Sequence, residues 1–392
     1  MTLPDDGRSP AETDAPDPVP ASDETDGTLD VSLPSDDPDS AADSAVEPSG
    51  EEEVVAADPR ESDGSTPELP GLQTTEPGGD WEPDVMDGFE SKTFAVAEDD
   101  QGTDLVTVVR PVADDRDRHR TPVLLVHGWA DYFYNEPAAK AFEEAGYAFH
   151  AVDLHRYGRS LREGQTPGWT DTLMSYDADL EAALGEIGRT YAKKPVIVAH
   201  STGGLIASLW ADRNPGRIQA LVLNSPWLEM QGSTWVRHLA KTIVDPVANR
   251  QPYALLKLPK VDFYWRTLSS AADGEWDLHP LWRPQTSFEV PAAWLGAVLV
   301  GHAQVKAGLD IQEPVLTLVS ERGFRGTKFS EEMKTADIIL EPTAMASRAL
   351  RLGRRVTIHR YPDALHDVFA SPEVIRNQAF ADVLEWLQAY GS

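Results

Sequence analysis

The strongest constraint on this chain is a set of short, unbroken apolar runs that recur between stretches of helical periodicity. Residues 122–126 form the clearest such run, and 195–198, 218–223, 314–319 and 356–361 read as further strands of the same series. A run such as 122–126 is too short for a buried helix and lacks the alternation of a half-exposed strand, which suits a strand covered on both faces. Residues 137–144 read as a helix. Across 175–191, Tyr176, Leu180, Ala183, Leu184, Ile187 and Tyr191 fall on one helical face, and a further helix runs from the end of the 195–198 strand through Leu209. Residues 147–152 supply one more strand, and 89–96 with 105–109 an opening hairpin. A final helix opens at Ser371 and Pro372, a cap candidate followed by proline at the first helical position. Strands alternating with helices at this spacing predict an α/β fold with a mostly parallel central sheet flanked by helices.

Two regions break the alternation. Residues 1–80 hold 23 acidic and 2 basic side chains, 12 of the 30 prolines and no Phe, Trp or Tyr. A segment with so little apolar surface cannot offset its ordering entropy, and its like charges repel, so it reads as a disordered acidic tail. It is a solubilising extension or, alternatively, a docking tail for a basic protein partner. The second region, 225–309, is short of strands but holds six of the eleven tryptophans: Trp227, Trp235, Trp265, Trp276, Trp282 and Trp294. Inserted there, it would stand above the carboxyl ends of the strands as a mostly helical lid with an apolar lining. The expected organisation is therefore a tail at 1–80, core at 81–224 and 310–392, and a lid at 225–309.

Charge and composition exclude several functions. The net charge is −31, of which the tail carries −21, so nucleic acid and anionic membranes are repelled. The chain has no cysteine, which removes disulfides, thiolate metal sites and Cys nucleophiles. The longest apolar stretch, 290–300, is too short to cross a bilayer, and the first residues lack a basic start and apolar core. The expected location is cytoplasmic.

The chemistry gathers at three points. Ser201 lies between Ala199 and Gly203, directly where a strand ends and a helix begins. Small residues two before and two after a serine permit the sharp turn that exposes its hydroxyl; here alanine stands at the first of them. His127 and Gly128 follow the 122–126 strand. Gly128 permits a close turn, after which the backbone N–H groups of Trp129 and Thr202 could hold an oxyanion. His127 itself reads as a prop for this loop. His366 follows the last strand, in the order Ser, acid, His, and is the base that an unactivated serine needs; His359, inside the strand, is its nearest rival. The acid should follow the 314–319 strand. Asp337 is the preferred residue by its placement before a helix, with Glu321 and Glu341 as competitors.

With these residues the chain resembles the α/β-hydrolase superfamily, most of all its monoacylglycerol lipase and serine aminopeptidase branch. The resemblance spans about residues 88–390. It rests on His127 and Gly128, on the segment Asp153 to Ser160, on His200 to Gly204, and on Leu365 to Asp367. It implies Ser201 as nucleophile, His366 as base, Asp337 as acid, a cap over the site, and neither metal nor organic cofactor. The chain departs from the simplest members where residues 321–335 separate the strand from the acid. The expected function is hydrolysis of carboxylic esters with an apolar acyl chain, such as monoacylglycerol- or lysophospholipid-like small molecules. An aminopeptidase gripping an α-amine with Glu229, Asp245 or Asp262 is one alternative. A non-catalytic binding protein that uses its tail is the other.

Overall fold

The apolar runs form neighbouring strands of one nine-stranded sheet in the computed structural model, which describes residues 79–113, 115–230, 253–256 and 260–390. In chain order the strands are β1 (Glu82–Pro83), β2 (Phe89–Asp99), β3 (Gly102–Pro111), β4 (Thr121–Val126), β5 (Tyr147–Asp153), β6 (Val196–His200), β7 (Ala220–Asn224), β10 (Val315–Ser320) and β11 (Val356–Tyr361). They lie in the order β1-β2-β3-β5-β4-β6-β7-β10-β11. The first four are joined antiparallel, and from β5 onward every pairing is parallel. The acidic tail expected at 1–80 lies almost wholly outside the described residues.

Alternate side chains of the central strands enter opposite layers. Leu124, Val126, Ile197, Ala199, Leu221 and Leu223 pack in the layer of helices α2 (Tyr176–Thr190), α3 (Ser201–Arg213) and α6 (Pro342–Ala349). Val123, Val196, Val198, Ala220 and Val222 face α1 (Glu136–Glu144) and α7 (Glu373–Tyr390). Covering both faces accounts for the unbroken apolar runs, since a strand buried on two sides has no polar alternate. Each Val, Leu or Ile among them contributes about 1.5–3 kcal/mol on burial. Helix α1 starts one residue before its expected beginning because Asn135 accepts the Ala138 N–H at 3.0 Å and Pro137 follows. The Ser371 hydroxyl, a cap candidate in the sequence, is taken up by the Leu365 N–H at 2.9 Å and so braces the loop before α7.

The described part of 225–309 is less helical than expected. It contains the short pair β8 (Leu255–Leu256) and β9 (Val290–Pro291), the two-turn helix α4 (Phe263–Leu268), an irregular stretch, and helix α5 (Ala292–Ala307). Helix α5 lies against α3: a Cβ on Gly301 would meet Leu205 and Leu209 at 3.0–3.3 Å. It continues the helical layer over the sheet, so residues 260–290 are what stands over the strand ends. No helix of the described residues is long and apolar enough to cross a membrane.

Candidate active site

Ser201 sits between the last residue of β6 and the first turn of α3, with φ of 51°. A non-glycine residue takes that left-handed conformation only where its surroundings enforce it. The neighbouring chain supplies the enforcement. The end of β4 runs so close beneath the turn that a Cβ at Gly203 would be driven into the His127 carbonyl oxygen. Trp227 donates its N–H to the Ser201 carbonyl at 2.9 Å, tying the turn to the segment after β7.

His366 and Asp337 arrive from the far end of the sheet. The Ser201 Oγ is 3.0 Å from His366 Nε2, and His366 Nδ1 is 2.8 Å from Asp337 Oδ2. All three are buried: Ser201 is 8 % exposed, His366 2 % and Asp337 1 %. The other Asp337 oxygen accepts the N–H groups of Ile339 at 2.8 Å and Leu340 at 2.7 Å. The carboxylate is thus held by two amides while its second oxygen faces the imidazole, which fixes the ring with Nε2 toward the hydroxyl. Glu321 and Glu341, the competing acids, are exposed. His359 lies on the edge strand β11. The long connection before the acid closes on itself: Phe324 donates to the Asp337 carbonyl at 2.9 Å and Asp337 to that of Arg322 at 3.0 Å. Residues 324–336 therefore stand out as a loop, and Asp337 returns beside the strand it left.

His127 acts as a prop. Its Nε2 accepts the Leu154 N–H at 3.0 Å, and its Nδ1 lies 2.8 Å from the Gly128 carbonyl. Gly128 runs against the elbow, where an added Cβ would meet that of Ser201 at 3.0 Å. Trp129 follows, and Thr202 is the second residue of α3, where helix amides have no partner inside the helix. Asp153 organises the adjoining loop by accepting the N–H groups of Phe133 at 2.8 Å and Arg159 at 2.9 Å. Gly158, at φ of 47°, is required there because any Cβ would strike the Asp153 carboxylate.

Two features had no local signal in the sequence. Arg283, from the irregular stretch, forms an ion pair with Asp131 beneath the site, both nearly fully buried. Burial alone would raise the Asp131 carboxyl, but the Arg283 guanidinium outweighs it and holds the group below its usual range. Only the fold brings a lone arginine at 283 to an aspartate at 131. The second feature is a trio, Asp131, His200 and Asp367, whose ligand atoms lie within 4.8 Å of one another. Each is already engaged. Arg283 takes Asp131, the Asn224 carbonyl faces His200 Nδ1 at 3.0 Å, and Asn224, Phe369 and Ala370 donate to Asp367. Burial pushes His200 below the ordinary imidazole value.

Above Ser201 and His366 opens a cavity of about 610 Å³. Its apolar lining includes Trp129, Phe263, Trp265, Phe324, Met333 and Ile338. Of the described tryptophans in the 225–309 segment, Trp265 lines it. Trp276 instead donates to the Ala370 carbonyl at 2.8 Å, Trp294 packs at a tilt on Trp129 with ring centres 3.8 Å apart, Trp282 packs on Tyr132 at 5.2 Å and Trp227 on Trp294 at 5.9 Å. Trp235 lies outside the described residues. A serine, an imidazole and a carboxylate in this order, beneath an apolar cavity, can deliver an activated alkoxide to a bound carbonyl.

Comparison with known proteins agrees with the fold. A monoacylglycerol lipase from Paleococcus ferrophilus superposes with a TM-score of 0.51 at 22 % identity, covering 70 % of this chain and 97 % of its own. A soluble variant of the Saccharomyces cerevisiae monoglyceride lipase gives 0.53 at 17 %, covering 81 % and 96 %. The pimeloyl-[acyl-carrier protein] methyl ester esterase of Chromobacterium violaceum is 31 % identical over 130 residues, which are 32 % of this chain and 45 % of that protein. The chain thus spans less than half the length of this relative. The fold is that of the α/β-hydrolases, and a family model described as serine aminopeptidase, S33, matches residues 103–322. That is more than half of the chain, and the chain belongs to this hydrolase family.

Proposed function

We propose that the chain is a serine hydrolase that cleaves carboxylic esters through Ser201, His366 and Asp337. The observation that carries this reading is the pair of contacts at 3.0 and 2.8 Å that joins the three side chains at the floor of an apolar cavity. In the reaction Ser201 Oγ attacks the acyl carbon as His366 Nε2 takes its proton, and Asp337 stabilises the resulting imidazolium. The N–H groups of Trp129 and Thr202 receive the oxyanion. Collapse expels the alcohol, protonated by His366, and leaves an acyl-serine. Water then gives a proton to His366 and attacks the acyl carbon; the acid departs and the proton returns to Ser201. Residues 260–290 serve as the cover that keeps bulk water from the site.

Monoacylglycerol- or lysophospholipid-like esters suit the apolar lining. The family description favours a second reading, an aminopeptidase, which needs a carboxylate to grip an α-amine. Among the described residues the charged groups lining the cavity are Lys260, Arg283, Arg325 and Glu289, and Glu289 is paired with Lys260 at 3.1 Å. Glu229 is held by Arg348 at 2.7 Å, Asp262 accepts from Gln285 at 3.0 Å, and Asp245 lies outside the described residues. This balance of charge favours the ester. The test is labelling with a fluorophosphonate probe: wild type labels and Ser201→Ala does not, with ester turnover falling by about 10⁴-fold or more. Labelling that persists in Ser201→Ala refutes the assignment, and turnover of amino-acid amides without that of fatty esters would establish the aminopeptidase.

A further inference from the structure

The loop between β10 and the acid is more than a detour. It is pinched at its base where Gly323 pairs with Asp337, and Arg322 closes it by donating to the Thr335 hydroxyl at 2.6 Å. Above the pinch it turns three apolar side chains, Phe324, Met333 and, just past the return, Ile338, into the cavity that holds Ser201 and His366, with Ile339 at the rim. Met333 is 1 % exposed. It lies under Gly326, where a Cβ would meet its ε-methyl at 2.8 Å. The loop is also fastened to the cover. Phe329 packs against Phe263 of α4 at 6.3 Å, and the Arg266 guanidinium lies 3.8 Å from its ring centre.

The lining of the cavity is mixed in chemistry. The cover presents Gln285, Thr286 and Ser287, followed by Phe288, whose ring meets that of Trp129 at 6.0 Å. Toward Asp337, the loop brings Phe324, Met333 and Ile338 beside Phe263, together with Arg325, which donates to the Ile339 carbonyl at 3.2 Å. Three polar residues in a row from the cover and three apolar side chains from the loop match an amphiphilic ester, whose hydrocarbon part belongs on those apolar side chains.

We propose that the 324–339 segment is the acyl-chain gauge of this enzyme: Phe324, Met333, Ile338 and Ile339 bound the room left for the hydrocarbon of the acyl group and so set its length. The proposal rests on the ester-hydrolase reading and names its specificity-determining residues. A wall of this kind acts through burial of methylenes, each contributing about fourfold to kcat/KM while the wall covers it and nothing beyond its edge. Shortening Met333 or Phe324 deepens the recess; a larger side chain at Ile339 closes its mouth.

The experiment uses the full chain and p-nitrophenyl esters from acetyl to palmitoyl, with fluorophosphonate labelling of Ser201 run in parallel. Met333→Ala and Phe324→Ala are expected to move the optimum acyl length up by about two to four carbons, the volume they vacate. Ile339→Trp, at a position 39 % exposed and so tolerant of change, is expected to move it down and to lower the long-to-short ratio of kcat/KM about tenfold. A matched series of acetates of longer alcohols should keep its profile in all three variants. The gauge is overturned if labelling is retained and the acyl profile stays where it was in Ile339→Trp, or if the alcohol series shifts instead. Failure of the wild type to label would overturn the ester reading itself, a different result.

Discussion

The elbow that carries Ser201 and the loop that returns to Asp337 contribute to the same site by opposite means. The elbow is local: strand, serine and helix are consecutive, and its geometry is forced by backbone packed against backbone, Gly203 on the His127 carbonyl. The acid loop spans a longer excursion whose ends are pinned by two backbone hydrogen bonds, and its packing is side chain on side chain, Phe329 on Phe263 and Met333 under Gly326. The family match ends at residue 322, just before this loop begins. The proposed nucleophile thus sits on rigid, locally encoded backbone while the proposed acid rides on a longer loop, an arrangement that works only if the carboxylate itself is fixed. The amides of Ile339 and Leu340 fix it here.

The sharpest way to break this comparison is to remove the acid. Asp337→Asn should lower kcat by about 10³-fold or more, because an amide cannot hold the imidazole in the tautomer that accepts the serine proton. Glu321→Gln and Glu341→Gln should stay within about twofold of wild type. A large loss in either glutamate variant, with Asp337→Asn still active, would transfer the role.

Glycine replacements then separate the two regions by stability. Gly203→Ala should cost about 3 kcal/mol through overpacking against rigid backbone. Gly326→Ala meets the far end of a methionine and should cost less than about 1 kcal/mol. Equal losses in urea unfolding would erase the distinction between the regions.

Acid probes the scaffold beneath the elbow. Burial holds His150 on β5 down at about 3 and His302 on α5 down at about 4, against an ordinary value of 6.5. Below pH 6.5 the unfolded chain binds protons at these sites that the folded chain refuses. Stability should therefore fall as pH drops from 6.5 toward 4, by up to about 1.4 kcal/mol per pH unit for each histidine. A melting temperature that is level over that range would contradict the assignment of both as buried neutral rings. The smallest effect is expected at the elbow itself: the Thr202 hydroxyl is buried without a partner among the described residues. Thr202→Val keeps the backbone N–H and should change stability by less than about 1 kcal/mol, in the stabilising direction. A clear loss of melting temperature would reveal a partner for that hydroxyl.

What the sequence made legible follows the same division. Ser201 could be read because the strand, the small flanking residues and the helix are contiguous, and the sheet could be read because strands buried on both faces leave unbroken apolar runs. His366 followed from its place after the last strand. Asp337 could be ranked first but not separated from its rivals by spacing alone, since the pairing of Gly323 with Asp337 across the excursion is a tertiary event. The tryptophans of the 225–309 segment read as a lining, yet most of those described fasten the segment to the core, a distinction that depends on which way each ring faces. Arg283 left no trace in any local pattern.

That arginine constrains attempts to re-engineer the cover. The ion pair between Arg283 and Asp131 makes residues 260–290 part of the charge balance of the site, and the Trp276 bond to Ala370 and the His279 amide on the Tyr132 hydroxyl at 2.9 Å fasten the segment further. A chimaera that exchanges this segment for the cover of another hydrolase would leave a buried carboxylate without its counter-charge, next to the His200 that precedes the nucleophile, at a cost of about 3–5 kcal/mol. The graft has to bring its own cation to that spot or be made in an Asp131→Asn background. Modularity in this enzyme is thus limited by one charge, although the covering segment looks detachable along the chain.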